Sequence, residues 1–491
     1  MRQSLFILCI VGWATTCNAQ HNKKDEQAFD DFRKEINDDF NNFRREITEE
    51  FIDFVRNPWK DFVSEPPIKK PEEKPVEPLV IPENDRMKGL PLEDKPIIIE
   101  NVIKPLPINP QPLPIEPIEE VPIEEKEKSA QFAFYGTSCT VRNPLDENYH
   151  VEDVNENTVA DALEILVSDK YDNLIYDCLK IRNDLQLCDW AYLQFLQVMS
   201  DTLCKGKTNE ATLLMSYVYL QSGYKMRLAH DGKRLYMLFS CHHIIFDKSS
   251  YEIEGDNFYC LDELPDKLMI SVAGFPKEQS LSLEISQQPL FTIDTSEKRT
   301  VTSRFYPEFK FSFETSKNLM SFYNSYPCSY YNDNFMTQWS LYANTPIAPN
   351  VAEALYPAIK KAIKGLTEYD AVNRLLNWVQ TGFKYEFDEK IWGHNRTFFA
   401  EESLYYPYCD CEDRSILLSR LVRDILKLKC ILIYYPGHLA TAIRFNENVT
   451  GDFISVNGQK FIVCDPTYIG ADVGMTMPGM DNTSASIILL E

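Results

Sequence analysis

Residues 405 to 415 read YYPYCDCEDRS and run directly into the helical pattern ILLSRLVRDIL. Two cysteines one residue apart, set among carboxylates at a helix start, suit metal binding, a disulfide or a thiol nucleophile. The chain that follows carries what a nucleophile needs. KCILIYY has the continuous apolar pattern of a buried strand, Pro436-Gly437 makes a turn, and His438 stands at the start of the next strand, LATAIRF. A third strand, KFIVCDPTY, brings Asp465 to its end. At a helix N-terminus the unpaired N–H groups and the positive end of the dipole favour a thiolate. A histidine can hold the thiol proton and a carboxylate can fix the imidazole. Cys411, His438 and Asp465 are therefore the candidate catalytic residues.

The three motifs in order, Cys-x-Cys-Glu-Asp-Arg-Ser, Gly-His-Leu-Ala and Cys-Asp-Pro-Thr, resemble those of the transglutaminase-like superfamily of papain-related thiol enzymes, exported bacterial members among them. That family typically shows Gly-Asp-Cys-Asp-Asp-Lys-Ala, His-Ala and Asp-Pro-Thr at these places. The resemblance covers residues 350 to 480 and places Cys411 on the nucleophile, His438 on the base and Asp465 on the acid. It implies an α+β fold, a protein or peptide substrate, and neither metal nor organic cofactor. Cys409 falls where the family has glycine; a structural disulfide there stays open. A zinc site would draw on His438 and Cys464, which the resemblance already accounts for. Family members often bind the oxyanion with an aromatic or amide donor upstream of the cysteine. Trp378 and Gln380 are the candidates, with a packed core tryptophan as the competing role for the former.

The elements that must position these residues recur earlier in the chain. Residues 206–229 align without gaps on residues 410–433, and GDNFYCLD, ending at Asp262, aligns on GQKFIVCD, ending at Asp465. In this register Lys207 occupies the nucleophile position, Arg234 the histidine position and Asp262 the acid position. Arginine cannot act as a base near neutrality. Residues 129–265 are therefore expected to be a degenerate copy of the catalytic unit, residues 346–491. The adjacent His242-His243 in this copy reads as one buried and one exposed side chain. Between the copies, residues 266–345 alternate apolar and polar over short runs, which predicts antiparallel sheet, with a small sandwich as one form of it. VAEALYPAIKKAIKGLTEYDAVNRLLNWVQTGFKY then predicts helices leading into the catalytic unit.

Ahead of both copies the chain has three further segments. Residues 1–20 have the charged start, apolar stretch and small-residue end of a secretory signal, too short in its apolar run to span a bilayer. Residues 21–64 hold an eleven-residue repeat in which Phe29, Phe32, Ile36, Phe40, Phe43, Ile47, Phe51 and Phe54 line one helical face and Pro58 ends the helix. That stripe would dock on the body or mediate self-association. Residues 65–128 alternate proline with apolar residues, which predicts an extended arm laid along a domain surface and suited to covering the cleft. A formal charge of −24 argues against nucleic acid as a partner. Without Cys9 and Cys17, 11 of the 13 cysteines remain, so an oxidising compartment leaves at least one thiol unpaired. The expected function is an exported, periplasmic or extracellular cysteine hydrolase, a protease or amidase. A cross-linking acyltransferase and a non-catalytic interaction protein on the same fold are the alternatives.

Overall fold

The computed structural model describes residues 23–82, 93–105, 110–121 and 128–491, with side chains from residue 39 onward. Residues 1–20, the expected signal, lie outside the described residues. Helix α1 (Lys23–Val55) stops short of Pro58, and strand β1 (Lys60–Val63) follows. The arm supplies β2 (Lys95–Ile97) and β3 (Asn101–Ile103). A hairpin of β4 (Ser129–Phe134) and β5 (Thr137–Arg142) opens the first unit. Helices α2 (Glu156–Leu166), α3 (Asp169–Asp184), α4 (Asp189–Cys204) and α5 (Thr208–Gln221) come next. Its strands are β6 (Met226–His230), β7 (Leu235–Ser240), β8 (Ile244–Ile245), β9 (Tyr251–Ile253), β10 (Asp256–Tyr259) and β11 (Lys267–Ile270).

The middle of the chain is not the sandwich its alternation predicts. It holds one hairpin, β12 (Arg299–Thr302) with β13 (Lys310–Phe313), then helix α6 (Lys317–Asn324), β14 (Ser329–Tyr330) and helix α7 (Thr337–Asn344). KLMISVAGF supplies β11, which joins the first unit's sheet, and SLSLEIS makes only an isolated bridge between Leu281 and Cys241. Alternation recorded one buried face, but that face packs on helices rather than on a second sheet.

The last unit begins with α8 (Pro349–Ala362) and α9 (Glu368–Gly382), then β15 (Lys384–Tyr385), α10 (Asp388–Ile391), α11 (Ala400–Tyr405) and β16 (Tyr408–Cys409). Helix α12 (Cys411–Leu421), extended by a π turn, leads to β17 (Lys429–Tyr435), β18 (His438–Arg444), β19 (Asp452–Val456), β20 (Gln459–Cys464) and β21 (Ser486–Leu489). The fold is mixed α+β.

The two large sheets share their inner strand order, β11-β6-β7-β10-β9 in the first unit and β21-β17-β18-β20-β19 in the last. They also share register at the aligned positions. Met226 faces Phe239 as Cys430 faces Ile443, Tyr259 faces Phe239 as Ile462 faces Ile443, and Asp256 faces Ile253 as Gln459 faces Val456. A one-residue slip would turn every side chain to the other face, so agreement across three strand pairs is specific.

Continuous apolar strands need cover on both faces. On β17, Cys430, Leu432 and Tyr434 join the main core, while Ile431, Ile433 and Tyr435 join a second cluster with Ile97 and Ile99 of the arm. The arm thus seals the outer face of this sheet. It also adds strands at both edges, β2 beside β19 and β3 beside β21, both parallel.

Helix α1 docks on the first unit through only part of its stripe. Phe51 is buried and Ile47 packs on the core, but Phe43 and Phe54 are 45% and 62% exposed, and Arg44, Thr48, Ile52 and Val55 are buried beside Phe51. Arg44 reaches Asp172 at 2.6 Å and Thr48 accepts from Gln221 Nε2 at 2.9 Å, so polar contacts rotate the docked face. Phe29, Phe32 and Ile36 lie outside the described side chains. As expected, His243 is buried and His242 exposed.

Candidate active site

The residues of CDCEDRS each tie a different element to the start of α12. Asp410 caps the helix by accepting the Glu412 N–H at 3.1 Å, and Asp413 accepts the Asp410 N–H at 3.1 Å in return. Asp413 also accepts the Phe398 N–H at 2.8 Å. Glu412 accepts the Trp339 indole N–H at 3.1 Å and the Thr397 hydroxyl at 2.7 Å. Arg414 donates to the carbonyls of Phe383 at 2.6 Å and Pro466 at 3.4 Å, which links the helix to the loop after Asp465. Ser415 donates to the Leu439 carbonyl at 2.7 Å and fixes the helix against the first residues of β18.

That framework brings the three predicted residues to one region. His438 Nε2 donates to Asp465 Oδ2 at 2.9 Å, with both side chains buried. Asp465 Oδ1 accepts the backbone N–H groups of Thr467 at 2.8 Å and Tyr468 at 3.3 Å, which holds the carboxylate in its turn. The other imidazole nitrogen, Nδ1, is buried and makes no hydrogen bond. Cys411 and His438 both line a cavity of about 1450 Å3. The Cys411 thiol is free, and the Leu439 N–H points toward it.

The electrostatics of the sulfur differ from the expectation. Burial first, and then the Asp410 and Glu412 carboxylates, push the Cys411 thiol well above its ordinary value, although it sits at a helix start. The dipole's half charge is outweighed by full charges nearby and by loss of solvent. Burial, then Glu412, likewise raises the Asp388 carboxyl to about 7.

Neither predicted oxyanion donor reaches the cavity. Trp378 is buried and donates its indole N–H to the Val301 carbonyl at 3.1 Å, packing against Phe311 and Phe383 as a core residue. Gln380 donates to the carbonyls of Asp465, Tyr468 and Ala471 at 3.1, 2.9 and 3.1 Å and accepts the Gly470 N–H at 3.2 Å. It positions the Asp465 loop instead. In the first unit Lys207 is exposed at the N-cap of α5, while Arg234 pairs with Asp262 at 2.5 Å on the surface. None of these three lines the cavity.

None of the eleven described cysteines forms a disulfide; Cys409 is a buried free thiol, and nine of the eleven are buried. Cys409, Cys411, His438 and Cys464 do not converge as metal ligands. Among the described residues the one cluster with ligand spacing is Asp388, Asp410 and Glu412. Sequence reasoning missed Asp388 in that role, and also missed Lys70 and Glu73 of the arm, which line the same cavity. The one available signal was the charged run KKPEEK between prolines in an otherwise apolar arm.

No described helix is long and apolar enough to cross a membrane. Comparison of the chain with protein-family models, curated proteins and solved structures gave no match in any of the three.

Proposed function

We propose that the chain is an exported cysteine hydrolase of the transglutaminase-like, papain-related kind, acting on an amide bond of a protein or peptide. The observation that carries this reading is the buried His438–Asp465 pair at 2.9 Å, whose Nδ1 has no hydrogen bond, beside a cavity wall shared with Cys411. Asp465 fixes the tautomer with a proton on Nε2, which leaves Nδ1 to take the Cys411 proton. The sulfur then adds to the substrate carbonyl carbon, and the Nδ1 proton passes to the leaving amine as the C–N bond breaks. Water attacks the thioester, gives a proton to Nδ1 and releases the acid, restoring the thiol. An amine in place of water would make the same site a cross-linking enzyme; hydrolysis is the simpler outcome because water needs no second binding site. In this reading residues 129–265 are a duplicated unit that has lost its chemistry, with the Arg234–Asp262 ion pair standing where the imidazole–carboxylate pair stands in the last unit.

A binding protein on the same scaffold is the second reading, favoured by the raised Cys411 thiol and by the arm lying in the cavity. An activated ester separates the two. Incubation with p-nitrophenyl acetate is expected to leave an acetyl group on Cys411, identified by peptide mass mapping, that forms and turns over in the wild type and forms about tenfold or more slowly in His438→Ala. No acetylation of Cys411 in either protein would end the hydrolase reading.

A further inference from the structure

The cavity beside Cys411 holds a piece of the chain itself. Residues 69–75 of the arm line it with Asp410, Glu412 and His438. At one end the Val76 N–H donates to the Gly437 carbonyl at 2.9 Å, and Glu73 accepts the Gly437 N–H at 2.8 Å and the Tyr434 hydroxyl. Gly437, at φ +76°, admits this approach: a Cβ there would lie 2.1 Å from the Lys74 carbonyl oxygen. At the other end the Lys70 ammonium donates to Thr397 Oγ1 at 3.3 Å and to Asn395 Oδ1. Residues 70–76 therefore cross the cavity in extended form, from Thr397 to the residue before His438, as a bound peptide would.

Behind Thr397, three carboxylates meet. Asp388, Asp410 and Glu412 are buried, and each offers an oxygen within 4.8 Å of the others. Their described hydrogen bonds come from neutral donors, the N–H groups of Arg396 and Glu412, the Thr397 hydroxyl and the Trp339 indole. No described ion pair neutralises them. Three carboxyl groups this close cannot all carry charge without a cation. Thr397 stands between: its hydroxyl accepts from Lys70 and donates to Glu412 Oε1 at 2.7 Å. Burial would lower the Lys70 ammonium, yet Cys328, Glu412, Asp388 and Asp410 hold it above the ordinary lysine value.

We propose that Asp388, Asp410 and Glu412, with Thr397, form a subsite that selects a lysine or arginine side chain of a peptide substrate, and that Lys70 of the arm engages it here through Thr397 as a substrate-like plug. The assignment of a substrate rests on the thiol chemistry proposed above; the recognition does not.

The test uses the full chain carrying Lys70→Ala and Glu73→Ala, which removes the arm's side-chain anchors in the cavity, and a fluorescent peptide with the sequence of residues 66–78. Anisotropy should show this peptide binding about tenfold or more tightly than the same peptide with Lys70→Gln, as expected for a charge-assisted contact. The preference should shrink in Asp388→Asn and as salt rises. Equal affinity of the two peptides, or no binding of either, would overturn the proposal. Because only the peptide changes in the central comparison, a pocket variant that fails to fold leaves the test intact. Binding is read without turnover, so a dead thiol with a clear lysine preference would refute the hydrolase reading alone.

Discussion

At the scale of single residues, Cys411 is held against ionisation. Burial and the Asp410 and Glu412 carboxylates favour the neutral thiol, so the proposed mechanism requires the proton to be handed to His438 Nδ1. Removing one negative charge should ease that transfer. Glu412→Gln keeps the shape of the side chain, and alkylation of Cys411 at pH 7 is expected to rise by about three- to tenfold. An unchanged rate would show that Glu412 does not set the thiol's state. The buried acids also give stability a direction with pH. Burial lifts Asp388, Glu401 and Glu402 to about 7, in the last case despite Arg396. A carboxyl with a raised folded pKa contributes stability that is full below its unfolded value near 4 and lost as pH rises through 7. The thermal midpoint should therefore fall between pH 5 and pH 8, and Asp388→Asn should flatten the fall. A midpoint that rises over this range contradicts the assignment. The placement of Cys411 and His438 on one cavity and of Asp465 against His438 was legible in sequence because residue type and element position together constrain it. The sulfur's electrostatics were only half legible: Asp410 and Glu412 are its sequence neighbours, but the burial that outweighs them comes only with folding.

At the scale of elements, the start of α12 is a junction whose bonds reach five other segments, and the strand register does the rest. The helix, the two strands after it and the strand bearing Asp465 could be read from apolar runs and turn residues. The docked face of α1 could not. Its phenylalanine spacing points to one face, but the buried Arg44–Asp172 pair rotates the helix, and pairing across 128 residues leaves no local pattern. Burial raises the Asp172 carboxyl in spite of Arg44 and Arg45, so the pair is held together rather than strongly stabilising. Arg44→Ala leaves the buried Asp172 carboxylate only Arg45, at 3.3 Å, and is expected to cost up to about 3–5 kcal/mol of stability, measured by urea unfolding at pH 7. A cost below about 1 kcal/mol, the level of an exposed pair, would show that α1 docks by its apolar residues alone. Gln380 is a second case in which sequence found the residue and not the role. It was legible as an amide upstream of the cysteine, but its four contacts all go to the Asp465 loop.

At the scale of the whole molecule, two sheets of the same inner order are both completed by chain that precedes the two units. β1, just before the arm, extends the first sheet; β2 and β3 of the arm close both edges of the second, and Ile97 and Ile99 cover its outer face. The arm's extended form and its surface course follow from proline content. Its pairing partners do not, because alternating Pro and Ile fits any exposed edge. A chain starting at residue 128 would open those edges and uncover the apolar face. It is expected to aggregate, seen as early elution and light scattering in size-exclusion chromatography, rather than to act as a freed enzyme. A monomeric, cooperatively folding fragment would show that the arm is only a cover.

The central claim is that the imidazole of His438 takes the proton of Cys411. The direct measurement is the rate of iodoacetamide alkylation at Cys411, resolved from the other thiols by peptide mass mapping, across pH 5 to 10 in wild type and His438→Ala. The account predicts a wild-type rate at pH 7 that exceeds the variant's by about tenfold or more, with the two converging at high pH where the thiol ionises unaided. Equal rates across the whole range would contradict it.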